Sequence, residues 1–326
     1  MHRNRKRLIL GFVGLFALFL YLNNTSRFSS RRSGSPIVFA HRGLGQRYDV
    51  PIESVNTCIA VHMLRPEHGY IENTIASMQA AFDRGADVVE FDIHPTIDGG
   101  FAVFHDQTLE CKTNGHGLTR AHTMQGLKAL DIAYGYTFDG GRSYPFRGKG
   151  IGLMPSMDQV FEEFPNRSFL IDVKDNEAND AALLADHLAR LSEEQRSRLM
   201  IFGRDTTLAV LRGALPDLRM FSARSTASCL LRYIAYGWTG IVPGPCHNSP
   251  QWVPINVAPW LWGWPYRFMN RFESKGSSII VMGPYPAGEI SPGLDTLQDF
   301  ARLPVNYTGG IWTNNVELIH RLITND

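Results

Sequence analysis

The sequence predicts an α/β fold, a TIM (β/α)8 barrel, from three observations. From Pro36 onward, short apolar runs rich in β-branched residues alternate with amphipathic helical stretches, which is the pattern of parallel α/β folds. Eight such units in roughly 290 residues fit a TIM barrel. No G-x-G-x-x-G follows the first run, which disfavours a doubly wound dinucleotide-binding sheet.

Each predicted element follows from the period of its apolar residues. The predicted strands are Ile37 to Arg42, Val88 to His94, Phe169 to Lys174, Leu199 to Arg204, Arg219 to Ala223, Gly240 to Val242 or Ile255 to Ala258, Ser278 to Gly283 and Gly310 to Asn314. The predicted helices are Asn73 to Arg84, Asp180 to Ser192, Thr206 to Leu215, Thr226 to Tyr236, Leu294 to Leu303 and Val316 to Thr324. In a TIM barrel, residues at the carboxyl ends of the strands face the active site.

Composition bounds the function. The 326 residues are 44% hydrophobic, enough for a sizeable core. A net charge of +1 gives a nucleic-acid partner no electrostatic support, so we expect none. The four cysteines show no C-x-x-C pair, which disfavours a zinc or redox motif, and the sequence leaves their pairing open.

The N-terminus is a membrane-targeting segment. Four basic residues among the first seven precede an uncharged run from Leu8 to Leu22. Fifteen helical residues span roughly 22 Å, shorter than the ~30 Å hydrocarbon core, so both a signal anchor and a cleaved signal peptide fit. We favour the anchor, because no A-x-A site follows and Tyr21 and Phe28 suit the interface.

The resulting domain plan is a signal anchor or signal peptide plus linker at 1–35 and a barrel at 36–326. With the basic end in the cytoplasm, the barrel lies on the non-cytoplasmic side. Three predicted insertions, at about 44–71, 107–152 and 243–265, are expected to form lids or a small cap. The third contains Trp260, Trp262 and Trp264, which fit either a lipid-facing surface or ordinary core packing.

Three short stretches carry the candidate chemistry: His41-Arg42-Gly43, Glu90-Phe91-Asp92 and His105-Asp106, each near the end of an apolar run. Two imidazoles can move protons, and we expect both to have a pKa near neutrality. Carboxylates at i and i+2 point to one side of a strand and can hold a divalent cation, while an arginine can bind phosphate. This set of groups fits phosphodiester cleavage.

The same stretches carry a family resemblance. Ala40-His41-Arg42-Gly43, Glu72-Asn73-Thr74, Gly85 to Asp92 and His105-Asp106 resemble the glycerophosphodiester phosphodiesterase family in order and spacing.

The resemblance implies an acid/base pair, His41 and His105, and a metal site with ligands Glu90, Asp92 and Asp172. Asp172 stands two residues before Lys174, where the family usually has a glutamate. The resemblance further implies substrate contacts by Arg42, Lys174 and Trp312, and one divalent cation, Mg²⁺ or Ca²⁺.

Two residues near these motifs have open roles. Glu72 either reaches the metal site or caps the helix that it precedes. His94, two residues after Asp92 and followed by Pro95, is expected to belong to loop structure.

The activity implied is metal-dependent hydrolysis of glycerophosphodiesters to sn-glycerol 3-phosphate and an alcohol. The long first loop, the Trp-rich stretch and the anchor favour a lysophospholipase D as the alternative. A catalytically weak, membrane-anchored phospholipid-binding protein is the rival outside enzymes. The expected partners are a small glycerophosphodiester or lysophospholipid and a membrane.

Overall fold

The computed structural model describes residues 2–30, 33–48, 58–175, 177–285 and 292–324. Residues 31–32 of the predicted linker and 49–57 of the first predicted insertion lie outside this description. The strands are β1 (Ile37–Ala40), β2 (Val88–Pro95), β3 (Phe101–Val103), β4 (Ser168–Val173), β5 (Leu199–Phe202), β6 (Arg219–Phe221), β7 (Gln251–Pro254), β8 (Ile279–Met282) and β9 (Gly310–Thr313). The helices are α1 (His2–Asn24), α2 (Ile75–Asp83), α3 (Met124–Lys128), α4 (Met157–Glu163), α5 (Ala178–Ala189), α6 (Glu193–Ser197), α7 (Asp205–Ala214), α8 (Ala223–Tyr236), α9 (Tyr266–Glu273), α10 (Leu297–Phe300) and α11 (Val316–Thr324).

Eight parallel strands of the described residues form a nearly closed barrel, which confirms the predicted TIM fold. The strand order is β6-β5-β4-β2-β1-β9-β8-β7, and β3 adds an antiparallel strand to β2. The order ends at β6 and β7. Side chains close that seam, because the rings of Phe221 and Trp252 lie 5.1 Å apart.

Alternation along the strands sorts side chains between two cores. Val89, Phe91 and Ile93 of β2 pack outward against the helices. The residues between them, Glu90 and Asp92, therefore point into the barrel. Asp172 of β4 is paired with Asp92 across the β2–β4 ladder, so both carboxylates reach the same level of the barrel.

The predicted sixth strand is wrong in position. Neither 240–242 nor 255–258 is a strand, and β7 lies at Gln251–Pro254, inside the segment that we assigned to the third insertion. Its residues alternate, with Val253 in the outer core and Trp252 facing the inner aromatic cluster. A search for apolar runs misses such a strand, because it begins with a buried Gln251 and ends in proline.

The first two predicted insertions build a second hydrophobic core beside the barrel. Ala60, Met63 and Ile71 of the first pack with Leu109 and Tyr136 of the second. A disulfide joins Cys58 to Cys111 across the two segments, and a second disulfide joins Cys229 to Cys246. The pairing left open by the sequence is thus settled, and the insertions act as one packed unit.

Helix α1 precedes the barrel. Residues Asn4–Asn24 are long and apolar enough to cross a membrane, with a mean hydropathy of 1.6, and a signal sequence would show the same pattern. The helix extends beyond the predicted run at both ends. Its last residues contact the barrel, since Asn23 and Asn24 both donate side-chain hydrogen bonds to the Trp238 carbonyl.

Candidate active site

The turn after β1 presents His41 and Arg42 to the barrel mouth. Arg42 has φ 59° and Gly43 has φ 75°, in the left-handed region. A Cβ on Gly43 would lie 2.7 Å from Ser77 Oγ, so only glycine fits there. The Arg42 backbone N–H donates to Glu90 Oε2 at 2.9 Å, which offsets the strain of this conformation and ties the turn to β2.

The Arg42 guanidinium lies between two carboxylates. Its Nη1 is 3.1 Å from Glu72 Oε1, and its Nε is 3.3 Å from Asp92 Oδ2. Burial lowers the pKa of Arg42, but Glu72 and Asp92 outweigh that effect and raise it. Arg42 is therefore a fixed cation at the barrel mouth, and a bound anion would meet it already oriented.

Three carboxylates meet beside this cation. Oxygens of Glu90, Asp92 and Asp172 all lie within 4.8 Å of one another, a group that could hold a metal ion. Asn73 fixes Asp92, donating to Oδ2 at 2.7 Å and accepting from its backbone N–H at 3.2 Å. The three residues predicted as metal ligands are thus brought together.

Lys174 lies over the carboxylate group from the end of β4. Its Nζ is 2.7 Å from Asp92 Oδ1 and 2.5 Å from Asp172 Oδ2. The ammonium neutralises part of the charge of the cluster. Lys174 contacts Oδ1 of Asp92, and Arg42 contacts Oδ2 of the same carboxylate. Asp92 is therefore held between two cations.

The electrostatics of the three carboxylates differ. Burial raises the pKa of Glu90 well above its usual value, and repulsion from Asp92 and Asp172 adds to the rise. Asp92 is also buried, but Lys174 and Arg42 hold its pKa well below the usual value. Among the described residues, no lysine or arginine side chain forms an ion pair with Glu90, whereas Asp92 has two such partners and Asp172 has one. A divalent cation would supply Glu90 with positive charge.

His41 has a defined tautomer. Asn314 donates its side-chain N–H to Asp295 Oδ2 at 2.7 Å, which leaves Asn314 Oδ1 to accept from His41 Nδ1 at 2.7 Å. The Nε2 lone pair then faces the carboxylates, 4.0 Å from Glu90 Oε2. Burial, followed by the charge of Arg42, lowers the pKa of His41 to about 3.

His105 follows β3 and is held by its neighbour. Its Nδ1 donates to Asp106 Oδ1 at 2.7 Å. Burial, then Arg42, lowers the pKa of His105 to about 4. Our expectation of near-neutral histidines is wrong for a site with only the protein's own charges around it, because both rings are desolvated beside a buried arginine.

Lys112 is a site residue that the sequence did not reveal. Its side chain is 1% exposed, and Nζ lies 2.7 Å from Asp106 Oδ1 and 3.0 Å from Glu72 Oε1. Lys112 thereby links Asp106, which holds His105, to Glu72, which holds Arg42. The one feature of the sequence that could have pointed to Lys112 is its position next to Cys111, which the disulfide holds against the second core.

Glu72 has neither of its two predicted roles in this structure. The N-cap of α2 is Thr74, whose side chain accepts from the Ser77 N–H. Glu72 instead receives Arg42 and Lys112 on Oε1 and the Tyr48 hydroxyl, at 3.0 Å, on Oε2. These contacts make it an anchor for Arg42, and the carboxylate group that could hold a metal does not include it.

Two further predictions concern buried rings. Trp312 is 2% exposed and lies 4.9 Å from the His41 ring, so it packs behind His41 at the base of the site. His94 is in β2 rather than in a loop. It pairs with Asp175 at 2.6 Å through Nδ1, and its Nε2 lies 3.2 Å from the His105 carbonyl, which supports the turn that carries His105.

Comparison with known proteins agrees with this geometry. The glycerophosphoryl diester phosphodiesterase family model matches residues 41–218, more than half of the chain. The chain belongs to this family. The matched region begins at His41 and includes every predicted site residue except Trp312, so the resemblance read from the sequence is confirmed.

Relatives of the family cover part of the chain. A glycerophosphodiester phosphodiesterase of Caldanaerobacter subterraneus is 35% identical over 105 residues, 32% of this chain and 39% of the relative. The human lysophospholipase D GDPD1 is 30% identical over 137 residues, 41% of this chain and 40% of the relative. The chain thus spans about two fifths of the length of these curated relatives.

Solved structures of the family share the fold over most of the chain. The glycerophosphoryl diester phosphodiesterase domain of Rv2277c from Mycobacterium tuberculosis superposes with a TM-score of 0.63 at 14% identity, covering 89% of this chain and 99% of that one. An Oleispira antarctica phosphodiesterase in complex with the product sn-glycerol-3-phosphate gives a TM-score of 0.57 at 16% identity, covering 90% and 98%.

Proposed function

We propose that this chain is a phosphodiesterase that hydrolyses glycerophosphodiesters, with a divalent cation, to sn-glycerol 3-phosphate and an alcohol. The observation that carries the proposal is the grouping of Glu90, Asp92 and Asp172 beside two fixed cations, Arg42 and Lys174. His41 and His105 are both near enough to feel the charge of Arg42. A phosphodiester anion needs charge neutralisation and two proton transfers, and these residues supply both. The family relatives named as glycerophosphodiester phosphodiesterases support the same substrate class.

The metal would be held by Glu90, Asp92 and Asp172. Their donor atoms are all carboxylate oxygens, which suit Mg²⁺ or Ca²⁺, and the raised pKa of Glu90 marks a carboxylate that gains a charge partner when a cation binds. A bound cation would polarise the phosphoryl group as a Lewis acid. Arg42 and Lys174 would hold phosphate oxygens, Arg42 by its planar fork and Lys174 as a point charge.

The two histidines would have different roles. His41 has a bare Nε2 and a neutral amide partner, Asn314, so it suits proton abstraction from the attacking hydroxyl. His105 has a carboxylate partner, Asp106, which favours the imidazolium, so it suits protonation of the leaving alkoxide. A phosphodiester anion beside both rings would oppose Arg42 and raise both pKa values.

A leaving-group experiment tests this assignment. With glycerophosphocholine, His41→Ala and His105→Ala should each lower kcat by roughly 10²–10⁴-fold. With a glycerophospho-p-nitrophenyl ester, whose leaving group needs no proton, His105→Ala should recover most of its activity and His41→Ala should not. Equal loss for both variants on both substrates would reject the two roles. A parent chain with no activity on either substrate would favour the rival phospholipid-binding protein.

The nucleophile is proposed to be a hydroxyl of the glycerol moiety, which would give a cyclic phosphate that water then opens. Phosphorus NMR of the reaction should detect this species, most readily in a variant whose second step is slow. In His105→Ala acting on the p-nitrophenyl ester, the first step needs no acid while the second lacks the group that would activate water. Release of glycerol phosphate with no cyclic species in either the parent or this variant would count against it.

Metal dependence and substrate class are tested together. EDTA should abolish hydrolysis, and restoring Mg²⁺ or Ca²⁺ separately should identify the preferred cation. The second candidate, lysophospholipase D, is favoured by α1 and by the human relative of that name. Comparing kcat/KM for glycerophosphocholine and a lysophosphatidylcholine separates the two, because a preference of tenfold or more for either one decides the substrate class.

We also propose that α1 is a retained anchor with the barrel on the non-cytoplasmic side. The contacts of Asn23 and Asn24 with the barrel support retention, since a cleaved leader would not be held there. Two disulfides fit an oxidising compartment. The intact mass of the membrane-extracted protein tests retention, and protection of the barrel from protease in sealed vesicles of known orientation tests the side.

A further inference from the structure

One part of the barrel has an unusual charge composition. Between Asp217 and Glu273 the chain contains no aspartate or glutamate, although 31 acidic residues occur in 326. The same segment holds five of the six tryptophans and its cations are arginines, at 219, 224, 232, 267 and 271. A stretch rich in arginine and tryptophan and free of acid is typical of surfaces that meet an anionic lipid headgroup region.

Helix α8 exposes an apolar stripe in this segment. Its inner face is buried at Cys229, Leu230 and Tyr233. On its outer face Leu231 is 67% exposed and Ile234 is 40% exposed, where a barrel helix usually presents polar residues. Ala227 and Ala235 are exposed on the same face, and Ile241, just after the helix, is 61% exposed.

The stripe leads to the end of α1. Trp238, two residues beyond α8, packs its ring edge-on against Phe16 at 5.8 Å. Phe16 lies eight residues before Asn24, so the Trp238 ring lies beside the last two turns of α1, about 12 Å along its axis. Trp262 donates its indole N–H to the Ile234 carbonyl at 2.8 Å, and Trp260, two residues earlier, is 78% exposed.

Helix α9 fixes α1 at this place. Arg271 donates to the Asn23 carbonyl at 2.6 Å and to Asn24 Oδ1 at 3.1 Å, and Arg267 donates to the Asn23 carbonyl at 3.0 Å. These two cations cap the C-terminal end of α1, where the helix dipole favours positive charge. Ser26 continues the attachment by donating to the Gly263 carbonyl at 2.7 Å. The barrel is thus held against α1 rather than tethered by a free linker.

We infer that the outer face of α8, with the 238–241 turn and Trp260, lies on the lipid bilayer that α1 enters, and that its partner is an anionic phospholipid surface. The inference rests on the proposed membrane anchor. If α1 enters the bilayer along its uncharged run, Phe16, near the middle of that run, lies below the headgroups, and the face of α8 beside it meets the same leaflet. Its apolar side chains are then covered by lipid, and Arg232 lies at headgroup level.

The test is the local environment of single spin labels in the full chain, reconstituted in nanodiscs of phosphatidylcholine and phosphatidylglycerol. Labels are placed on introduced cysteines at exposed apolar positions, so that the four native cysteines stay in their disulfides. Leu231→Cys and Ile241→Cys probe the face. Ile97→Cys and Ile151→Cys, 67% and 60% exposed in the β2–β3 turn and the second insertion, are matched controls, and Phe12→Cys reports on α1.

The expected result is a ratio of oxygen to nickel-chelate accessibility several-fold higher at 231 and 241 than at 97 and 151, and highest at 12. A lipid environment at 12 with an aqueous one at 231 and 241 would overturn the docked face and leave the anchor standing. An aqueous environment at all three positions would overturn both. Removing phosphatidylglycerol should lower the ratio at 231, and no dependence on lipid charge would refute the anionic partner.

Discussion

The inner wall of the barrel has an ionic side and an aromatic side. Strands β1, β2 and β4 carry Arg42, Glu90, Asp92 and Asp172 at their ends. Across the barrel, Phe202, Phe221 and Trp252 pack ring on ring at 4.4–5.2 Å. The sides meet where Trp312 contacts His41.

This difference teaches how the site obtains its electrostatics. Interactions between the charges on the ionic side are strengthened because the apolar wall excludes water from them. The same burial is the main cause of the lowered pKa of His41. The ionic side should therefore control activity, while the aromatic side should control stability. Four substitutions or measurements test this division.

The largest effect is expected for Glu90→Gln. The variant loses a carboxylate proposed to bind metal, and kcat/KM should fall roughly 10³-fold, because several kcal/mol of charge stabilisation are removed. Its Tm in EDTA should stay equal to that of the parent or rise, since Glu90 is repelled by Asp92 and Asp172 when no cation is present. The exposed Glu163→Gln is the matched control, and a lower Tm with unchanged activity for Glu90→Gln would reverse the division.

The next effect is expected for Lys112→Met. We expect kcat to fall about 10–100-fold, as for residues that orient groups in contact with the reaction. Without the ammonium of Lys112, the negative charge of Asp106 is no longer partly neutralised and stabilises protonated His105 more strongly. The pKa of His105 should therefore rise, and the pH profile of kcat should move to higher pH.

Lys112→Met also breaks a buried ion pair, and it should lower the free energy of unfolding by about 3–5 kcal/mol. This loss of stability could prevent the single variant from folding. The double variant Lys112→Met/Asp106→Asn removes both charges of the pair and provides a second measurement. Lys149→Met, an exposed lysine of the same insertion, is the control. An unshifted pH profile in a folded Lys112→Met chain would make the residue structural only.

A smaller effect is expected in the pH dependence of the free energy of unfolding. His41 and His105 have their pKa lowered to about 3 and about 4, below the unfolded value. The unfolded chain then binds more protons, so the stability from these groups is complete above pH ~6.5 and declines as pH falls toward the folded values, by roughly 2 kcal/mol per histidine between pH 7 and 5.

The raised pKa of Glu90 works in the opposite direction, so the informative quantity is the difference between two chains. In EDTA, urea unfolding of the parent and of His41→Gln/His105→Gln at pH 7 and pH 5 should show a shallower loss in the double variant. Equal losses in both would mean that the histidines are not neutral in the folded chain.

The smallest effect on activity is expected for Trp252→Phe, which tests the aromatic side. The Trp252 indole N–H has no hydrogen-bond acceptor among the described residues, so phenylalanine removes ring contacts and no hydrogen bond. The free energy of unfolding should fall by about 1 kcal/mol, and kcat should stay within about threefold. A tenfold loss of kcat at unchanged stability would give the aromatic side a direct role with substrate.

The sequence predicted the barrel and the ionic residues for a local reason. Glu90 and Asp92 are two residues apart on one strand, and Asp172 and Lys174 repeat the spacing, so their shared direction follows from strand geometry alone. The same logic failed for β7, where a buried glutamine and a proline hide a strand. It also could not place Lys112, whose neighbours Asp106 and Glu72 come together through a packed insertion.

By itself, the sequence determined the parallel α/β class, the histidines and carboxylates near the ends of strands, and an N-terminal segment apolar enough for a membrane. These depend on covalent order and on periods of two or a few residues. Only the tertiary structure decided the disulfide pairs, the role of Glu72 as an anchor for Arg42, the lowered pKa values of the histidines, and the attachment of α1 to α9. Each of these depends on burial or on contacts between distant segments, which are settled when the insertions and helices pack around the barrel.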